Sequence, residues 1–397
     1  MTSVKFMFIF LIVISAAFYV LYVWDFSLVL LIVVIALPVL MFIMTLITKK
    51  LITVSLNVKE TTAAKNEPFD IQLSISNRSI FPVAKAEAFI EYYNIFNNQI
   101  NYFEIHFPIQ QRNSQLMTFQ LESKFCGIIN ISTAEIKIYD PLRIFKFRIG
   151  KNIGDDIVIL PEGCSIGASL GSSDRSSDES TAFSEHRAGD DPSEIFDLRG
   201  FVDGDKLNRV HWKLSSKSDE LIVKDFGMPI DSRTALFLNL RCSENSEYTL
   251  PIYDTLIEAL VSLSQFLIEN ERAHTIIYYS ASESCFVQRR VDSDEALSAA
   301  IFELLVSLGD DLSFRPPEEF LPECGEKSFT SFTFITAEPD KKALDYIDRE
   351  ISSEIKNAVV VVKDEASAEI ARDCCPSLSV TPVVIGRISS SVKDIEL

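Results

Sequence analysis

Residues 196–226 read FDLRGFVDGDKLNRVHWKLSSKSDELIVKDF. Arg199, Asp203, Asp205, Arg209, His211, Trp212 and Lys213 crowd into this one segment, in a chain with only two tryptophans and four histidines. Gly204-Asp205 reads as a turn, because glycine supplies positive φ and Asp bonds its own neighbouring backbone. After Glu220, the residues Leu221, Val223 and Asp225 alternate with Ile222, Lys224 and Phe226, the period of a strand. Two roles suit the segment. Arg199, Arg209 and Asp205 form a structural ion-pair network with Trp212 as a packing plug, or some of these groups face a partner.

On the C-terminal side the pattern is α/β. Residues 234–240 (TALFLNL) make a buried strand, and residues 250–271 carry Ile257, Leu260, Leu263 and Leu267 at helical spacing. Further strands are expected at 275–279, 285–291, 331–336, 358–362 and 380–385, and helices at 341–355 and 366–372. Asp292 with Glu295 reads as a capping box opening a helix through Leu308. Alternating strands and helices give a doubly wound, mostly parallel sheet with helices on both faces.

On the N-terminal side, residues 164–194 are rich in Ser, Asp and Gly without an apolar period, and read as a connecting loop. From 51 to 161 the period is two, with Ile52, Val54, Leu56 and Val58 alternating against polar residues and turn signals between such runs. That spacing predicts an all-β sandwich. Two apolar runs precede it, residues 6–23 and 26–47, the second interrupted only by Pro38, which membrane helices tolerate. Only Trp24-Asp25 separates them, so a transmembrane hairpin is expected rather than a cleaved signal peptide. Lys5 precedes the first span, Lys49 and Lys50 follow the second, and the connection carries Asp25. The positive-inside rule therefore puts both termini and everything after Leu51 in the cytoplasm.

The central segment resembles the domain of unknown function 58 family, which carries an Arg, an aromatic, a Gly-Asp turn, an Arg, a His/Asp-Trp-Lys run and a leucine-led strand. Here these are Arg199, Phe201, Gly204-Asp205, Arg209, His211-Trp212-Lys213 and Leu221-Ile222-Val223-Lys224. Phe201 stands where the family usually has Tyr, and Asp203 where it usually has Pro. Lys124-Phe125-Cys126-Gly127, and Asp140-Pro141-Leu142 with Phe145, are similar to the family's glycine-containing strand and Asp-Pro-aromatic turn. The resemblance implies that the C-terminal domain is von Willebrand factor A-like and docks a MoxR-type AAA+ ATPase.

The expected architecture is thus a two-helix transmembrane hairpin (1–50), an all-β sandwich (51–161), a polar linker (162–195), the central motif (196–230) and a von Willebrand factor A-like, doubly wound α/β domain (231–397). A net charge of −19 excludes general nucleic-acid binding, which rewards basic surfaces. The seven cysteines are scattered and lack a metal-type CxxC pair, as expected of thiols in a reducing compartment. The metal-holding Asp-x-Ser-x-Ser of a von Willebrand A domain would fall on Asn239, Arg241 and Ser243. Arg241 sets a fixed cation where a hydroxyl should face the ion, so the site reads as degenerate and no cofactor is expected. Neither a G-x-S-x-G elbow nor an HExxH is present. His106, His186 and His274 have no neighbours at ligand spacing and read as structural or solvent-facing. The leading expectation is a non-enzymatic, membrane-anchored cytoplasmic adaptor or scaffold whose partners are the lipid bilayer and the ATPase. An envelope-associated hydrolase built around His211, or a metal-dependent ligand-binding protein, are the alternatives.

Overall fold

The computed structural model describes residues 2–22, 24–150, 153–170, 183–189, 195–200, 215, 222–229, 234–242, 247–308, 329–337, 341–372, 378–392, 395 and 397. The chain divides into two compact units. One holds Met1–Glu162 with Glu244–Asp254 and Ile301–Leu312; the other holds Gly163–Ser243, Thr255–Ala300 and Ser313–Leu397.

The first unit opens with helices α1 (Thr2–Leu21) and α2 (Asp25–Leu51), both long and apolar enough to cross a membrane. These apolar helices indicate membrane association. The turn between them is held by Ser27, whose hydroxyl lies 2.5 Å from the Tyr22 carbonyl and 2.7 Å from that of Trp24. Pro38 sits inside α2 without ending it. Near the helix end, the Thr45 and Thr48 hydroxyls donate back to the carbonyls of Met41 and Met44, the usual way a hydroxyl is satisfied in an apolar surround.

Leu51 ends α2 and Ile52 begins β1 (Ile52–Val58), so helix and strand share one peptide bond. The strands that follow are β2 (Thr62–Ala64), β3 (Phe69–Asn77), β4 (Val83–Asn94), β5 (Asn97–Ile109), β6 (Asn113–Leu121), β7 (Gly127–Tyr139), β8 (Lys146–Ile149) and β9 (Ile153–Leu160). They form a sheet of order β1-β3-β6 and a second of order β2-β9-β7-β4-β5, with β8 added on β7. Alternation does the rest: Leu56, Ile71, Leu73 and Ile75 of the first sheet share one core with Ala88, Ile90, Ile131, Ile136, Ile138 and Ile157 of the second. Register places three connections, residues 78–82, 110–112 and 140–145, at one end of the sandwich, since Val83 pairs with Ile109 and Lys85 with Tyr139. There the buried Asp140 carboxylate accepts the N–H groups of Leu142 and Phe145, an Asx-type turn.

The opposite end is closed differently. Gly127 has φ +121°, and a Cβ there would lie 2.8 Å from both Asn94 Oδ1 and the Phe96 ring. Asn94 bridges the turn, donating to the Cys126 carbonyl and accepting from the Phe96 N–H. Within the same unit, Phe96 stacks on Tyr253 with centroids 4.6 Å apart. Asp254 accepts from Lys65 at 2.6 Å and from the Cys126 N–H at 2.8 Å.

The second unit carries a six-stranded sheet of order β15-β14-β13-β16-β17-β18. Its strands are β13 (Thr234–Asn239), β14 (His274–Ser280), β15 (Cys285–Val291), β16 (Ser331–Thr336), β17 (Ile355–Val362) and β18 (Ser379–Val384). All neighbours are parallel except the β14–β15 edge pair. Every residue of β13 and β16 is buried, as a sheet covered on both faces requires. The helices are α3 (Thr249–Glu269), which belongs to this unit from Thr255 on, α4 (Asp294–Ser307), which belongs to it up to Ala300, α5 (Lys341–Glu350), α6 (Glu365–Arg372) and α7 (Ile388–Ser391). Although α3 is long and apolar enough to span a bilayer, 72% of its apolar window is buried in protein, so it is a core helix.

Several sequence expectations change. Residues 183–189, expected within a loop, form β10 (Phe183–Gly189), which pairs with β12 (Ile222–Pro229); β11 (Ile195–Gly200) pairs with the other edge of β12. The expected capping box is replaced by Ser293, whose hydroxyl accepts the Ala296 N–H ahead of α4. The helix expected over 341–355 ends at Glu350, and Ile355 already belongs to β17.

Candidate functional site

In a doubly wound sheet, ligands bind outside the carboxyl ends of the strands where the strand order reverses. Here that point lies between β13 and β16, where Asn239 is registered against Thr336. Six consecutive buried residues carry β13 to this edge. The buried Asn239 amide is already committed. Its Nδ2 donates to Thr336 Oγ1 at 3.2 Å, and its Oδ1 accepts the Arg241 N–H at 3.2 Å. One bond ties two strands and the other shapes the turn. Arg241 is exposed beside them, and Ser243 lies outside the described residues. A single amide, a hydroxyl and a neighbouring cation do not match the several carboxylate oxygens a hard divalent ion requires. Calorimetric titration of the full chain with magnesium or manganese is expected to show no saturable site at this edge. One tight site, lost in Asn239→Ala, would refute this.

Of the central motif, Arg199 is described as a β11 residue registered against Val223 of β12. Gly204, Asp205, Arg209, His211, Trp212 and Lys213 lie outside the described residues.

Two clusters are invisible to residue spacing. In the second unit, His274 Nε2 lies 2.6 Å from Ser264 Oγ, and its Nδ1 lies 3.2 Å from the Arg272 carbonyl. Because a carbonyl only accepts, Nδ1 carries the proton and Ser264 donates to Nε2. Burial outweighs the Arg272 bond and pushes His274 down to about 4. The pair has the distance of a catalytic dyad, but Ser264 is 0% exposed and His274 2% exposed, so no substrate reaches it. It is a core hydrogen bond.

The other cluster lies on the outer face of the sandwich. Glu87 is registered against His106 on β5 and Lys137 on β7. Its carboxylate takes Lys85 Nζ at 2.7 Å and the Tyr139 hydroxyl at 2.6 Å, with His106 Nδ1 at 3.9 Å. Burial opposes ionisation of Glu87, but the bonds from Lys85 and Tyr139 prevail and hold it below its ordinary value. Burial, then Glu87, pushes Tyr139 up to about 12. Glu87, Glu104 and His106 have the proximity of a metal-binding triplet, yet the one buried carboxylate is already neutralised by Lys85 and hydrogen-bonded by Tyr139. Nearby, Glu135 is held down chiefly by its hydrogen bond from Lys137, and pairs with Arg148. The face combines pairs within a strand, Lys85–Glu87 and Glu135–Lys137, with pairs across strands, Glu87–Tyr139 and Glu135–Arg148, the latter a device that stabilises sheets.

No family model and no curated protein matches the chain. Among solved structures, it is similar to the CARDB domain of a Pyrococcus furiosus protein, at 12% identity over 28% of this chain and 94% of that one, with TM-score 0.22. The C-terminal domain of wzt is 6% identical over 28% of this chain and 75% of that one, with TM-score 0.23. A cohesin module from a Clostridium perfringens family 33 glycoside hydrolase is 12% identical over 28% of this chain and 98% of that one, with TM-score 0.21. Likenesses at these scores carry no argument about fold or function.

Proposed function

We propose that the chain is a membrane-anchored cytoplasmic adaptor or scaffold without catalysis of its own, working with a MoxR-type AAA+ ATPase. In this reading α1 and α2 span the bilayer as a hairpin, and the α/β unit is a von Willebrand factor A-like docking module. The observation that carries it is the junction of α2 with β1, where a helix of membrane-spanning length passes into the sandwich with no intervening residue. A molecule meant to hold something at a set distance from a membrane needs such a joint; a diffusing enzyme does not. Support also comes from the edge of the parallel sheet, where Asn239 is committed to strand and turn bonds. The ATPase partner rests on the resemblance of Arg199, Gly204-Asp205, Arg209 and His211-Trp212-Lys213 to the family motif.

Affinity purification of the tagged full chain from solubilised membranes tests the partner. Recovery of an AAA+ ATPase with the parent chain, reduced at least severalfold by Arg209→Ala or Asp205→Asn, is expected; its absence from the parent eluate overturns the proposal. Orientation is tested separately. A reporter active only outside the cytoplasm, fused after Leu397, is expected to be silent, because Lys5, Lys49 and Lys50 flank the two helices. An active fusion would reverse the topology.

A further inference from the structure

The end of the sandwich nearest α2 has a composition unlike the rest of the chain. Residues 78–82, 110–112 and 140–145 form its three connections, and the sole carboxylate among them is Asp140. That carboxylate is buried and bonded within its own turn. The same connections, with the start of β8, present exposed Arg78, Arg112, Arg143 and Lys146. This happens in a chain of 56 acidic and 37 basic residues. Lys49 and Lys50 in the last turn of α2 add to the same charge. Apolar side chains stand among the cations: Ile80 is 53% exposed, and Leu142 is half-buried.

Contacts fix the height of this surface along α2. The Arg78 N–H donates to the Leu51 carbonyl at 3.1 Å, and the Arg112 N–H to the Ser79 carbonyl at 3.0 Å. The Ser79 and Thr48 hydroxyls meet at 3.4 Å. Phe42 rests against Phe145 and Phe147 with centroids 5.0 and 5.4 Å apart. Phe42 precedes the end of the apolar run at Ile47 by five residues, or about 8 Å of helix rise. The sandwich therefore grips the helix at the depth where hydrocarbon gives way to headgroups.

We propose that Arg78, Arg112, Arg143 and Lys146, set around Ile80 and Leu142, lie on the bilayer and bind anionic lipid headgroups. The cations meet phosphates within the roughly 8 Å over which surface charge acts at physiological salt. Ile80 and Leu142 enter the headgroup–acyl boundary, as apolar groups of interfacial segments do. The inference rests on the α1–α2 anchor of the proposed function and is independent of any ATPase.

The test uses the full chain in liposomes whose lipids carry brominated acyl chains. Ile80→Trp is read as the emission it adds over the parent. Tyr102→Trp serves as the comparison; Tyr102 is 78% exposed and registered against Glu91 on β4. Glu91 lies eight residues along β4 from Val83, about 26 Å from the basic end. With phosphatidylglycerol present, the Ile80→Trp emission is expected to fall by roughly half, as for a group at the acyl boundary, while the Tyr102→Trp emission is unchanged. Quenching should largely disappear in pure phosphatidylcholine, and in Arg78→Gln/Arg143→Gln/Lys146→Gln. Equal quenching at both positions, none at Ile80→Trp, or no dependence on anionic lipid or the three cations overturns the proposal. Alkaline carbonate extraction is run first. Release of the parent chain defeats the anchor and this inference together, whereas retention with unquenched emission defeats this inference alone.

Discussion

Asp254→Ala is expected to lower unfolding stability by about 3–5 kcal/mol, the usual consequence of removing one partner of a buried ion pair. The Asp254 carboxylate faces Lys65 Nζ at 2.6 Å, and their side chains are only 8% and 13% exposed. It also takes the Cys126 N–H at 2.8 Å, where the chain turns into β7 at Gly127. Alanine therefore removes the carboxylate that Lys65 holds at 2.6 Å and withdraws a charged acceptor from a buried amide. Lys65→Met alone should be costly too. The double variant Lys65→Met/Asp254→Leu should recover part of the loss, because two apolar groups carry no unpaired charge, although the Cys126 amide still lacks its acceptor. Chemical denaturation of the full chain in detergent reads all three, and marked non-additivity is the signature of a coupled pair. A loss in Asp254→Ala of less than about 1 kcal/mol, typical of an exposed pair, would show that the contact is not a structural tie.

Acidification should act next most strongly, through His274. In the folded chain its pKa is pushed down to about 4 from an ordinary 6.5. Between those values the unfolded chain binds a proton that the folded one refuses, so stability rises with pH across the window and falls as pH drops from about 6.5 to 4. The complete difference amounts to about 3 kcal/mol. Glu87 and Glu135 share the preference for the deprotonated form, which for them is the charged one, and so have the same sign of effect. Their carboxyls are held below 4.5, so the stability they contribute is lost only as pH falls below that value. Among the described residues whose pKa is displaced, the interval from 6.5 to 4.5 therefore belongs to His274. Denaturation midpoints across it should shift in the parent chain and stay flat in His274→Gln; a flat parent profile would contradict the buried neutral imidazole.

How much of this could be read from the chain depends on the range of the interaction. Strands β15 (Cys285–Val291) and β16 (Ser331–Thr336) begin and end where expected; β16 is buried along its whole length, whereas β15, at the sheet edge, carries Gln288, Arg289 and Arg290 and is only partly buried. The two N-terminal helices were legible because a bilayer demands an unbroken apolar length. Ends set by one side chain were harder to place. Ser293 caps α4 although Asp292 and Glu295 have the spacing of a box, since backbone geometry chooses between adjacent candidates. Strand β10 was hidden by its polar surroundings, and pairing with β12 is what makes it a strand. Neither the Glu87 cluster nor the Lys65–Asp254 pair could be found by spacing. Glu87 meets His106 and Tyr139 only through the register of three strands, and Lys65 and Asp254 are separated by 189 positions. At the sheet edge, the substitution of Asn239 and Arg241 for metal-type residues was visible. That Asn239 ties β13 to Thr336 was not, because the partner lies 97 positions away.

The shared peptide bond of Leu51 and Ile52 has a mechanical consequence. With no slack between rod and plate, and with Phe42 braced on Phe145 and Phe147, the helix and the sandwich would, in the proposed membrane hairpin, move as one lever. Strand β3 is nine residues long, or about 30 Å. A change of 10° in helix tilt therefore sweeps the far end of the sandwich through roughly 5 Å on that lever arm. In that proposed hairpin, bilayer thickness, to which a helix adapts in part by tilting, would become a mechanical input to the protein.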